Sequence, residues 1–144
     1  MRTAWLLAIL LCAQFTPSLD RDPVKLLAGC YELRVLPTRP PDLVKKPLLL
    51  PRKFQLASEH TKSFGFVAKN LDPKVEWDLP ISFWTAKDTD SVQISWGTGY
   101  VGYTVLLKRS GETFRGNADY FDDTGGHDSR DVVAKTVNCD QPKK

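Results

Sequence analysis

From Tyr31 onward the chain is written in steps of two. Tyr31, Leu33 and Val35 alternate with Glu32 and Arg34. Successive side chains of a strand point to opposite faces, so this alternation marks a half-buried strand. The stepping returns at Lys53–Ser58, with Phe54 and Leu56 on one face, and at Ser63–Lys69, with Phe64, Phe66 and Ala68 on one face. At Thr113–Phe121, Phe114, Gly116, Ala118 and Tyr120 stand opposite Arg115, Asn117 and Asp119. Val92–Trp96, Tyr100–Arg109 and Asp131–Cys139 are further strand-like runs, the last with Val133 and Val137 on the Cys139 face. Residues 74–87 read as a short extended piece, a break at Pro80, and a strand carrying Ile81, Phe83 and Thr85. Short strands with frequent turns specify an all-β protein. The expected fold is a small antiparallel up-and-down barrel of about seven or eight strands, with a β-sandwich as the alternative.

The punctuation between strands agrees. Gly97-Thr98-Gly99 and Ser110-Gly111 predict tight hairpins. Residues 122–130 read as a polar loop around Gly125-Gly126. Residues 37–51 hold five of the ten prolines, and proline removes the backbone donors a strand needs, so this stretch is a loop. One helix is expected, short and at the front: Asp22 to cap it, Pro23 to start it and Gly29 to end it.

Before that helix, Arg2 precedes the apolar run Ala4–Ala13. The run is too short to cross a bilayer, which takes ~20 residues, and it fits a secretory signal peptide. The expected organisation is a signal peptide at 1–18 and a single β-barrel-like domain at 19–144, with no transmembrane segment after cleavage. Cleavage removes Cys12 and leaves Cys30 and Cys139, 109 positions apart. In an exported chain such a pair reads as a disulfide. Two free thiols or a zinc site are the alternatives; zinc takes about four ligands, and neither His60 nor His127 stands at ligand spacing from a cysteine. A disulfide here ties the start of the first strand to the end of the last, which are neighbours in an up-and-down barrel. The expected compartment is periplasmic or extracellular.

A length of 144 residues gives one domain and excludes a two-domain enzyme. The net charge of +3 falls to +2 once Arg2 leaves with the signal peptide, too little to announce nucleic acid as a partner.

Several constellations invite a chemical reading. Gly97-Thr98-Gly99-Tyr100-Val101-Gly102 has the spacing of a nucleotide fingerprint, but Tyr103–Leu107 after it is a strand and not the helix such a site needs. That leaves a glycine-rich hairpin. Asp119, Asp122, Asp123, His127, Asp128 and Asp131 crowd one strand end, without the spacing of a calcium loop; no metal or other cofactor is expected. No nucleophile elbow is present and both histidines sit in polar surroundings, so no catalytic residue is assigned and no enzyme is expected. Lys45-Lys46-Pro47 through Arg52-Lys53 carries four cations, three leucines and no acid; it suits either an anionic membrane surface or a loop tucked under a barrel end, and the second is preferred.

Gly29-Cys30-Tyr31-Glu32-Leu33, after a short helical turn, resembles the opening of the calycin barrels, the lipocalin-like group. There a Gly-x-Trp-Tyr type start follows an N-terminal helix; Cys30 stands where that group has Trp. Leu27-Ala28-Gly29-Cys30-Tyr31, Leu50–Leu56 after the proline loop, Phe114-Arg115-Gly116 and Cys139 together resemble a group of small exported bacterial proteins with no assigned activity. The resemblance implies an exported lipocalin-like barrel. Two functions follow as expectations. One is a non-catalytic binder of a small apolar or amphipathic ligand, in a cavity lined by Phe54, Phe66, Trp96, Tyr103, Phe114 and Tyr120. The other is a protein-interaction or inhibitor module of the cell envelope, with a filled barrel and an envelope protein as partner.

Overall fold

The structure is a computed structural model that describes residues 21–37, 48–75 and 79–139; the expected signal peptide, Lys45, Lys46 and Trp77 lie outside them. One helix and eight strands follow in order: α1 Pro23–Leu27, β1 Gly29–Val35, β2 Lys53–His60, β3 Phe66–Asn70, β4 Ile81–Ala86, β5 Ser91–Gly97, β6 Val101–Ser110, β7 Thr113–Asp122 and β8 His127–Val137. Each strand pairs antiparallel with the next, and β8 returns to β1, with Tyr31 opposite Thr136 and Leu33 opposite Ala134. The sheet is therefore a closed up-and-down barrel in which each strand has a neighbour on both sides, the β3–β4 seam being the shortest, paired at Phe66–Trp84 and Val67–Phe83. Among the described residues no helix is long and apolar enough to cross a membrane.

The helix forms where the residues ask for it. The Asp22 carboxylate accepts the Val24 amide at 3.0 Å and Pro23 occupies the first turn. It stops at Ala28, so Gly29 does not end the helix but opens β1 with φ 153°. Leu27 is fully buried and α1 packs against β2 and β4, plugging one barrel end. The Tyr31 hydroxyl locks the plug by donating to the Leu27 carbonyl at 2.6 Å.

The barrel waist is solid. Tyr31 stacks on Phe54 at 5.5 Å and meets Phe114 edge-on at 5.5 Å, while Phe54 meets Trp96 edge-on at the same distance. Trp84 packs on Phe66 and donates its indole N–H to the Ala57 carbonyl at 2.8 Å. Small residues on β7 admit these rings. Ala118 is fully buried, and a Cβ at Gly116 would sit 1.7 Å from the Leu106 carbonyl oxygen. Gly116 thus serves close strand approach.

Three local expectations are corrected. Ser63–Gly65 is a turn, and Phe64 leaves the core to lie on the outside, 69% exposed, near Phe83. On β4 the buried residue is Trp84, whose parity puts Ile81, Phe83 and Thr85 on the outer wall. β8 begins at His127 rather than Asp131, because its polar first residues pair with the end of β7.

Cys30 and Cys139 are bonded, with Cα atoms 5.2 Å apart, and the bond joins β1 to the segment two residues past β8. At the opposite barrel end Asp72 holds two loops together. Its carboxylate accepts the Arg52 amide at 2.9 Å and the Lys74 amide at 3.0 Å. Burial alone would raise its pKa, but these amides and the nearby cations hold it below the ordinary 3.8. A depressed folded-state pKa gives stability that is present above the unfolded value and lost as pH falls through the folded one. Asp72→Ala is expected to cost roughly 1–3 kcal/mol at neutral pH. It should also remove part of the acid-induced loss of stability below about pH 4, read from denaturant midpoints across pH.

Candidate functional site

The end opposite α1 is hollow. A cavity of about 480 Å³ opens there, lined by Leu48, Leu49, Val101, Tyr103, Tyr120, Asp122, Gly126, His127 and Asp128. Strand parity places most of these. Val101, Tyr103 and the buried Val105 share the inner face of β6. Tyr103 lies opposite Tyr120, and Tyr120 opposite Asp128, so two rings and a carboxylate meet at one level. The ring centroids are 5.4 Å apart. Leu48 and Leu49, at the end of the β1–β2 connection, cover them from above.

Asp122 builds the β7–β8 turn. One carboxylate oxygen accepts the Thr124 amide (3.0 Å), the Thr124 hydroxyl (2.7 Å) and the Gly126 amide (2.7 Å), and the other accepts the Tyr120 hydroxyl at 3.1 Å. The Thr124 hydroxyl and the Gly126 amide hold its pKa below the ordinary value, so it is a carboxylate at neutral pH. Burial, and then the hydrogen bond to Asp122, push Tyr120 up; burial pushes Tyr103 up. Both phenols therefore keep their protons. Asp128 is neutralised in place. The Arg130 guanidinium grips it through Nε and Nη2, at 3.1 and 2.8 Å, with side chains only 10% and 17% exposed. The cavity thus offers apolar walls, two phenols, His127 and the hydrogen-bonded carboxylate of Asp122.

Of the six residues expected to line a ligand cavity, Tyr103 and Tyr120 border this mouth. Phe54 and Phe114 lie in the packed waist. Phe66 packs between His60 and Trp84. Trp96 is buried and borders a second cavity of about 520 Å³ with Leu71, Val75 and Leu79. Leu48, Leu49, Val101, Asp122 and Asp128 went unassigned to a cavity. A signal for Asp128 existed: counting back by twos from the core residues Ala134 and Val132 reaches Arg130 and Asp128.

The other constellations resolve locally. The glycine triplet is the β5–β6 hairpin: a Cβ on Gly97 would lie 2.8 Å from the Val101 oxygen, and one on Gly102 2.6 Å from the Trp96 oxygen. Asp119 accepts the Asn117 amide at 2.6 Å. Among the described residues no three His, Cys, Asp or Glu side chains converge as a metal site.

The class defined by these features is an eight-stranded antiparallel barrel, closed by hydrogen bonds and one disulfide, plugged at one end and hollow at the other. No family model matches the chain, and no curated protein or solved structure matches it.

Proposed function

We propose that the protein is an exported, non-catalytic binder of a small amphipathic molecule held at the barrel mouth. The observation that carries this reading is the cavity over Tyr103 and Tyr120. Its volume of about 480 Å³ falls in the ~300–1,000 Å³ range of small-molecule sites. An apolar body fits against Leu48, Leu49, Val101 and the two rings. A hydroxyl or amine head fits toward Asp122, which accepts hydrogen bonds. The carboxylates are already engaged, Asp122 by its turn and Asp128 by Arg130, which suits binding rather than proton transfer. The disulfide and the leader-like first 18 residues support the exported reading, and the calycin-like opening residues support a lipocalin-like barrel.

Titration with Nile red, a neutral lipophilic fluorophore, tests the site. One saturable site is expected. Val101→Trp, which fills the mouth from its inner wall, is expected to lower affinity about tenfold or more. An unchanged titration in that variant places the dye elsewhere and removes the support for this cavity.

A second reading has its own observation. The waist is packed, and Leu49 and Tyr100 at the hollow end are 62% and 73% exposed. Such a rim suits a protein-interaction module of the cell envelope. Native mass spectrometry of the exported protein separates the two: a retained species of a few hundred daltons supports the binder, and a clean apo mass without saturable dye binding supports the module.

A further inference from the structure

The outer wall concentrates positive charge on one side. Register aligns Lys108 on β6, Arg115 on β7, Val133 on β8 and Arg34 on β1 in a single row across four strands. The next row toward the plugged end runs Thr113, Lys135, Glu32 and Lys53. Arg52 stands beside them, its carbonyl accepting the Leu33 amide. A groove of about 230 Å³ opens among Arg34, Arg52, Val133 and Lys135. Six cations and one acid, Glu32, stand on this wall, a local charge of +5; Asp131 at the margin, Asp88 near Lys108 and Asp72 near Arg52 bring it to +2 when all three are counted. Among the described residues Glu32 is the only ion-pair partner of any of the six, taking Lys135 at 3.0 Å. Like charges directly opposite, as in Lys108 and Arg115, weaken a sheet. Folding does not call for this arrangement.

We propose that this wall binds a linear polyanionic glycan lying across the strands. Strands are about 4.8 Å apart. Lys108 and Arg115 are one spacing apart and Arg34 two further on, roughly 5 and 10 Å, which a flexible chain with closely repeated sulfates or carboxylates can follow. The surroundings favour this polyanion over two others. Phe121, the exposed ring on β7, is six residues from Arg115, about 20 Å along the strand, so no base-stacking platform adjoins the row. The wall is convex and its aliphatic content near the row is Val133 and Leu106, too little to anchor in a bilayer.

Fluorescence anisotropy with a labelled, size-defined heparin oligosaccharide tests the proposal. Binding is expected to weaken with salt. Arg34→Gln/Arg115→Gln should lower affinity roughly tenfold at ~0.15 M salt and flatten the salt dependence by one to two released counterions, by analogy with phosphate contacts. Lys25→Gln/Lys62→Gln removes the same charge from α1 and the β2–β3 loop, away from the β6–β8 face, and should change affinity less than about twofold if the wall is the site. All these side chains are exposed, so both variants should melt with the parent protein. Equal losses in the two variants overturn the site, because net charge then explains the binding. Tighter binding to single-stranded DNA or to phosphatidylglycerol vesicles than to the glycan overturns the choice of ligand.

Discussion

Breaking the Cys30–Cys139 bond is expected to lower the melting temperature by roughly 12–25 °C. The bond closes a loop of 109 positions. In the chain-entropy account, a loop near that length contributes about 4–5 kcal/mol by restricting the unfolded chain. For a domain of this size each kcal/mol moves the transition by about 3–5 °C. Cys139 is exposed, so Cys139→Ser removes the bond without placing a hydroxyl in the core, whereas Cys30 is only 2% exposed and its replacement adds a burial penalty. Scanning calorimetry of Cys139→Ser, and of the parent with and without reductant, gives the result. Equal melting temperatures with and without the bond would overturn the chain-entropy account of this bond.

Phe54→Ala is expected to cost about 3–5 kcal/mol, the range for removing a fully buried ring from a packed interior. Phe54 touches Tyr31 and Trp96 and is wholly inaccessible. Its loss opens space in the waist and not at the mouth, so Nile red affinity of the folded variant should stay within about twofold of the parent. Urea denaturation and dye titration on the same sample separate the two effects. A small change in stability with a large loss of affinity would move Phe54 from the core to the ligand.

The architecture was legible because its cause is local. Period-two alternation at Tyr31–Val35 and Thr113–Phe121 records one wet face and one dry face, and each corresponds to a strand. The cysteine pair was legible from its count and its placement at the strand ends. The site was harder to read, for a geometric reason. Alternation tells which side chains point inward and says nothing of their height in the barrel. Phe54, Phe114, Tyr103 and Tyr120 share the inner face, but the first two fall at the waist and the last two at the rim. Height depends on register between strands distant in sequence. The polar start of β8 hid for a related reason. Asp128 and Arg130 point inward as a neutralising pair, so their charges resemble a loop while their parity is that of a strand.

The pairing of β8 with β1 also sets an order of events. Seven strands can zip to their neighbours as hairpins while the chain is still being made, but the seam waits for β8 to emerge. Until then β1 has a vacant side, and its one remaining partner is about a hundred positions away. Joining ends so distant is slow, because the entropy of the long loop is lost before the contacts form. A nascent chain of this design stays open along that seam until β8 has been made. A chain ending before β8 would carry two bare edges instead of none, and would be prone to pair with other copies.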